Sequence, residues 1–307
     1  MNRSPFLSGR TIIMLTLAFG IVTTGCNLNK KGDGGSDEFE ATGTLDPETQ
    51  EQLNTAKRIF YSLPSPLETA MLIKNAGAEY DEMLMNPTAN TDRYITSKSK
   101  ALNLGIYSTD LSYASLFDQT QATLNYIEAA KEMADGLNIL GAIDEETIKR
   151  LEEHINNRDV IIDIISETLM NSSSFLKENG LESTASVVLV GGWVEGLFIA
   201  TNLVSDNNLR GNKLVERIAD QKLSLDIIIS LLEQSAEDED AMDVLADIKE
   251  LKAIFDKITI EQGEVTVVED PVTNVTTLKS ESTLDFPQPV FRELKSKVVE
   301  IRHSYIS

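Results

Sequence analysis

Residues 187–204, VVLVGGWVEGLFIATNLV, decide how this chain is read. They contain no proline, and Glu195 is their single charge. A helix that is apolar on every side is a buried one, so the rest of the chain must supply other helices to surround it. In helical spacing the residues one turn from Glu195 are Gly191, Gly192, Phe198 and Ile199, which offer no cation for an i,i+4 pair. An unpaired carboxylate in such a place costs several kcal/mol or takes up a proton. A polar partner must therefore arrive from elsewhere in the fold.

Gly192, Gly196 and Ala200 make a ridge of small residues that lets another backbone come close. The expected visitor is the segment 101–117, ALNLGIYSTDLSYASLF, which offers Ser108, Ser112 and Ser115 beside Tyr107, Asp110 and Tyr113. Tyrosine hydroxyls can donate to Glu195, and Trp193 adds an indole N–H. Tyr107, Asp110, Tyr113, Trp193 and Glu195 are thus the candidate ligand-binding site. Three readings remain open for it: a satisfied polar network that fixes helix register, a site for a small ligand or cation, or a general acid or base of raised pKa at Glu195. The segment from Ala101 also echoes the one from Val187 at a shift of 86 residues, with Gly105 falling on Gly191 and Tyr107 on Trp193. Two related halves are an expectation of that echo.

Helix punctuation runs along most of the chain. Asp46-Pro47 and Ser65-Pro66-Leu67-Glu68 are helix starts, the second a capping box with proline in the first turn. Residues 92–136 read as helical throughout with Gly105 as the break, and Asp144 caps a long helix that Gly180 ends. Ile161, Ile164, Ile165 and Leu169 keep the spacing of a buried helical face. Further helices are expected at 181–205, 209–236 and 239–259, and a last one at about 289–305. Two β-branched runs around EDPVTN predict a β-hairpin at 264–279. The expected fold is an all-α bundle of about eight helices with this small inserted hairpin. It forms a single helical domain over residues 46–307.

The first 25 residues carry Arg3 and Arg10, then the apolar run TIIMLTLAFGIV, and have the form of an export signal. Cys26 is the only cysteine, which excludes an internal disulfide. Thr-Thr-Gly-Cys at 23–26 resembles the lipobox of bacterial lipoproteins, with Thr23 where the common pattern has leucine. That resemblance implies acylation at Cys26 and attachment to a membrane through lipid. Residues 26–45 are polar and glycine-rich and read as a flexible tether. Their lysines followed by acids resemble the surface-export signal of Bacteroidota lipoproteins.

The net charge of the chain is −22, and it becomes −24 once the two arginines of the first 25 residues are removed. A field of that sign repels nucleic acid and anionic headgroups. His154 and His303 are the only histidines, and only His303 sits in a Glu-x-x-His motif, so a di-iron carboxylate bundle or a His/Cys zinc site is not expected. No Walker loop, G-x-G-x-x-G or G-x-S-x-G occurs, and no cofactor is expected. The acidic run 237–243, EDEDAMD, lacks EF-hand spacing and reads as a helix N-terminus.

LPSPLETAMLIKNAGAEY, the 101–127 segment and GGWVEGLFIAT together resemble a family of helical lipoproteins of Bacteroidota that has no assigned biochemical function. The resemblance implies a helical fold and an envelope location, and it supplies no catalytic residues. The expected function is that of a lipid-anchored outer-membrane protein, facing the periplasm or the cell exterior. Its role would be binding or assembly, with an envelope protein or a small ligand as partner and no nucleic acid. The rival expectation is an envelope hydrolase using Asp110 and Glu195 as paired carboxylates across a cleft.

Overall fold

The computed structural model describes residues 79–139, 145–155, 180–205, 209–262 and 282–307, with parts of 157–168 and two strands within 263–281. All of them belong to one compact unit, Asp46–Ser307. The signal-like stretch, Cys26, the tether, the helix starts at Asp46 and Ser65 and the cap at Asp144 lie outside the described residues.

Two apolar helices stand at the centre. Helix α1, Ser97–Leu116, opens with a capping box in which the Thr96 side chain accepts from Ser99 N–H while the Ser99 hydroxyl accepts from Thr96 N–H. The chain reverses at Phe117–Gln119, where Asp118 takes a left-handed φ of 57°, and α2, Thr120–Gly136, packs back along α1. A short helix α3, Glu145–Glu153, precedes the second central helix α4, Glu182–Leu203. By length and composition α4 could cross a bilayer, yet 67% of its most apolar window is buried inside the fold, as befits a core helix. Around it pack α5, Lys213–Gln234, α6, Glu239–Phe255, and α7, Gln288–Ile306, the last also touching α1.

The all-α bundle with an inserted hairpin is therefore the observed fold, with further helical residues within 160–168 besides the seven helices named. The hairpin joins α6 to α7 and is longer than its sequence predicts. Strand β1, Thr259–Gln262, pairs with β4, Ser282–Asp285, and β2, Thr266–Glu269, pairs with β3, Thr276–Lys279, all antiparallel. Ile260 faces Leu284 across the first pair, and both pack against the core. Ile258 and Phe286, buried just before β1 and just after β4, fix the base of that pair to the bundle.

Two sequence expectations need correction. Residues 92–136 do not form one helix broken at Gly105. A 3-10 turn, Thr88–Arg93, comes first, Thr96 starts α1, and the break falls at Phe117–Gln119. Gly105 lies in mid-helix because a Cβ there would stand 2.0 Å from the carbonyl oxygen of Val188 on α4. Helix α3 does not run on to residue 179, since it ends at Glu153 and the chain turns at His154–Ile155.

The contact between α1 and α4 is reciprocal. Gly105 admits Val188, and Gly191 admits Leu102, whose carbonyl oxygen would be 2.1 Å from an added Cβ. Val188 follows Leu102 by 86 residues, as Gly191 follows Gly105, so the shift seen in the sequence exchanges one contact for the other. Thr109 completes the crossing by donating to Gly192 O at 3.1 Å. The two helices run side by side in the same sense at this offset.

Candidate functional site

The close crossing brings Asp110 and Glu195 together at the centre of the bundle. Both are 0% exposed, and their carboxyl groups hydrogen-bond one another. The cation that answers Glu195 is Arg302 of α7. Its Nε donates to Oε2 and its Nη2 to Oε1, each at 2.9 Å, and Nη2 also donates to Leu84 O at 3.1 Å. The guanidinium lies over the Phe198 ring at 4.3 Å from the centroid. A planar fork against a carboxylate is the strongest ion-pair geometry available to side chains.

Charge counting assigns the proton. With both acids ionised, one guanidinium would face two carboxylates and leave a net negative charge in the core, which is prohibitively costly. Burial first, then the neighbouring Glu195, pushes Asp110 well above the usual aspartate range, against the pull of Asn86 N–H and Arg302. Burial also raises Glu195, opposed by the bonds and charge of Arg302. For Arg302, burial pulls down while the bond and charge of Glu195 win and leave it raised. The geometry agrees: Asp110 Oδ2 accepts from Asn86 N–H at 2.9 Å, whereas Oδ1 is buried without a donor. Protonation of the Asp110 carboxyl removes that charge conflict and gives the pair a donor. The triad is then neutral: an acid, a carboxylate and a guanidinium.

Around the triad lies a second layer centred on Asn86, which is 0% exposed. Its amide nitrogen donates to Tyr94 OH and Asn103 Oδ1, both at 3.0 Å, and its Oδ1 accepts from Asn90 at 2.9 Å. Its carbonyl oxygen accepts from Tyr126 OH at 3.1 Å. With its N–H on Asp110, every polar group of the residue has a partner. Tyr107 OH donates to Pro87 O at 3.2 Å, and Asn103 donates to Ser99 O and Tyr305 O at 2.8 and 2.9 Å.

The five residues singled out in the sequence fare differently. Asp110 and Glu195 meet as expected. Tyr107 and Tyr113 are buried nearby, but neither donates to Glu195: Tyr107 serves Pro87, and Tyr113 OH accepts from Asp81 N–H at 3.2 Å. Trp193 points to α5, where its indole donates to Gln221 Oε1 at 3.0 Å. The expectation that tyrosines and the indole would satisfy Glu195 is thus corrected, because a full cation reaches it instead. All five side chains are buried, so none lines a solvent-open pocket.

Arg302 and Asn86 were missed. Arg302 carried a signal: Phe291, Leu294, Val298 and Tyr305 mark the buried stripe of α7, and Arg302 falls on that stripe where an apolar residue belongs. Asn86 carried none beyond Asn-Pro, which reads as an ordinary turn. Among the described residues no group of three or more His, Cys, Asp or Glu is placed to hold a metal, and 237–243 contributes the Asp238 cap of α6. No family model, curated protein or solved structure matches the chain.

A paired-carboxylate hydrolase places its acids about 5 to 10 Å apart, with substrate or water between them. Here the two acids touch each other and neither meets solvent. What this arrangement does is lock three distant parts of the chain into one register.

Proposed function

We propose that the protein is a lipid-anchored envelope component, attached through Cys26 to the periplasmic or outer face of an outer membrane, with a binding or assembly role rather than a catalytic one. The observation that carries the non-catalytic reading is the sealed Asp110–Glu195–Arg302 triad. The most chemically potent groups of the described fold are spent on one another, with Asp110 and Glu195 0% exposed. Anchoring rests on the sequence around Cys26, on the tether after it and on the resemblance to helical lipoproteins of Bacteroidota. A partner surface free of polyanions suits the net charge of −22.

The test has two arms. Cells expressing the full chain are fed an alkyne fatty acid, and the wild type is compared with Cys26→Ser for label and for membrane fractionation. Label and membrane attachment that vanish in the variant support the anchor, and an unlabelled wild type contradicts it. Crosslinking in intact cells, followed by purification of the wild type, reads the assembly role. A reproducible protein partner supports it, and turnover of envelope polymers by the purified chain that disappears in Glu195→Gln contradicts it.

A further inference from the structure

The segment 81–94, which contains the 3-10 turns Glu82–Leu84 and Thr88–Arg93, lies across the triad as a strap. Its apolar anchoring is confined to three side chains: neither 3-10 turn contains a buried residue, Met83 is 87% exposed, and Leu84 is only partly buried against the core. Met85 and Tyr94 are its buried apolar side chains. Its remaining attachments are polar. Leu84 O accepts from Arg302, Asn86 N–H rests on Asp110, Asn86 O accepts from Tyr126, and Pro87 O accepts from Tyr107. Two of these four attachments go directly to members of the triad.

We propose that residues 81–94 are a proton-gated strap, closed over the bundle while Asp110 is a carboxylic acid and released when Asp110 ionises. The electrostatics run in one direction. A protonated Asp110 keeps the triad neutral and supplies the donor that joins it to Glu195. Loss of that proton sets two carboxylates against each other in a dry site with one guanidinium between them, and admitting water relieves the repulsion. The strap is held by hydrogen bonds that water can replace and by few apolar side chains, whereas α1, α2, α4 and α7 are fixed by extensive apolar packing.

The titratable groups that interact with Asp110 come from every neighbouring element: Tyr80 beside the strap, Tyr107 and Tyr113 on α1, Tyr126 on α2, Glu195 on α4 and Arg302 on α7, while Asp81 and Glu82 of the strap itself are exposed. Burial pushes Tyr107, Tyr113 and Tyr126 up, so they stay neutral, and Arg302 stays charged. Asp110 is the buried acid whose proton the closed triad retains. Open, it returns to the ordinary aspartate range and releases its proton. The opening constant therefore rises about tenfold per pH unit from that range up to the raised closed-state value, and levels off above it. This inference stands on the packed core alone and does not depend on the lipid anchor.

Hydrogen exchange of the full chain across a pH series, corrected for intrinsic exchange, tests it at the strap amides, above all Asn86 N–H. In the wild type the strap opening constant should climb about tenfold per pH unit while the amides of Tyr107 and Leu111 stay protected. Asp110→Asn, whose amide can accept from Asn86 and donate to Glu195 without ionising, should give a flat profile. Tyr126→Phe, which removes one strap hydrogen bond, should raise opening several-fold at every pH and keep the slope. A strap profile without pH dependence in the wild type overturns the proposal. So does an Asp110→Asn profile that keeps the slope, a Tyr126→Phe profile that loses it, or a strap that opens only together with the α1 core.

Discussion

Arg302 and Glu195, 107 residues apart in the chain, face each other through two N–H···O bonds of 2.9 Å inside the bundle. A pair this deep adds little net stability compared with well-packed apolar side chains, yet it penalises any arrangement in which one member is left alone. It therefore selects the register of α4 against α7, and through Asp110 that of α1.

Removing one member should accordingly be worse than removing both. Glu195→Gln and Arg302→Met should each lower the unfolding free energy by about 3–5 kcal/mol, because a buried charge loses its counter-ion. The double variant Arg302→Met with Glu195→Leu should be less destabilised than either single variant. Urea denaturation measures all three, and single variants within about 1 kcal/mol of wild type would contradict the pairing.

Asp110→Asn should behave in the opposite way. For a carboxyl raised in the native state, the folded protein holds a proton that the unfolded chain has already released. Its contribution is therefore complete below the ordinary aspartate pKa and is lost as pH rises toward the native value, by about 1.4 kcal/mol per pH unit. The asparagine variant has no such loss. It should be at least as stable as wild type at pH 7, and the stability difference between the two should grow with pH until Asp110 ionises in the native state.

The glycines at the α1–α4 crossing should divide sharply. Gly105→Ala and Gly191→Ala place a Cβ 2.0 and 2.1 Å from a carbonyl oxygen of the other helix, so the helices must separate, at a cost of about 3 kcal/mol or more. Gly196 has nothing nearer to an added Cβ than Thr109 Cγ2 at 4.0 Å, and Gly196→Ala should be neutral or stabilising by up to about 1 kcal/mol through helix propensity. Thermal melts of the three variants check the order.

Asn86→Ala should cost about 3 kcal/mol or more, since it strands the buried Asn103 Oδ1 and empties the hub of the strap. Asn90→Ala removes one bond at a partly exposed position and should cost about 1 kcal/mol or less.

How much of this was legible follows from the range of each signal. The buried character of 187–204 is written in its own residues, and its small residues pointed to a close crossing with α1. Of the ridge Gly192, Gly196 and Ala200, however, it is Gly192 that meets α1 closely and Gly196 stands clear, while the tightest approaches are at Gly191 and at Gly105, which reads in the sequence as a helix break. Glu195 announced that it needed a partner. Arg302 lies on the apolar stripe of α7, but nothing in the sequence says which distant acid a cation there would meet. The break at Phe117–Gln119 was hidden because Asp118 tolerates a left-handed φ without the glycine that usually marks it. The hub at Asn86 was invisible for a related reason, since its five partners come from the strap, α1 and α2 and share no spacing along the chain.

The most direct test of the neutral triad is the carboxyl carbon of Asp110, followed by NMR through a pH titration of the folded protein. The protonated form should persist to pH values above the usual aspartate range, in a wild type whose Glu195 is the ionised member of the pair. An Asp110 signal that titrates in the usual aspartate range, with the fold intact, would contradict the account.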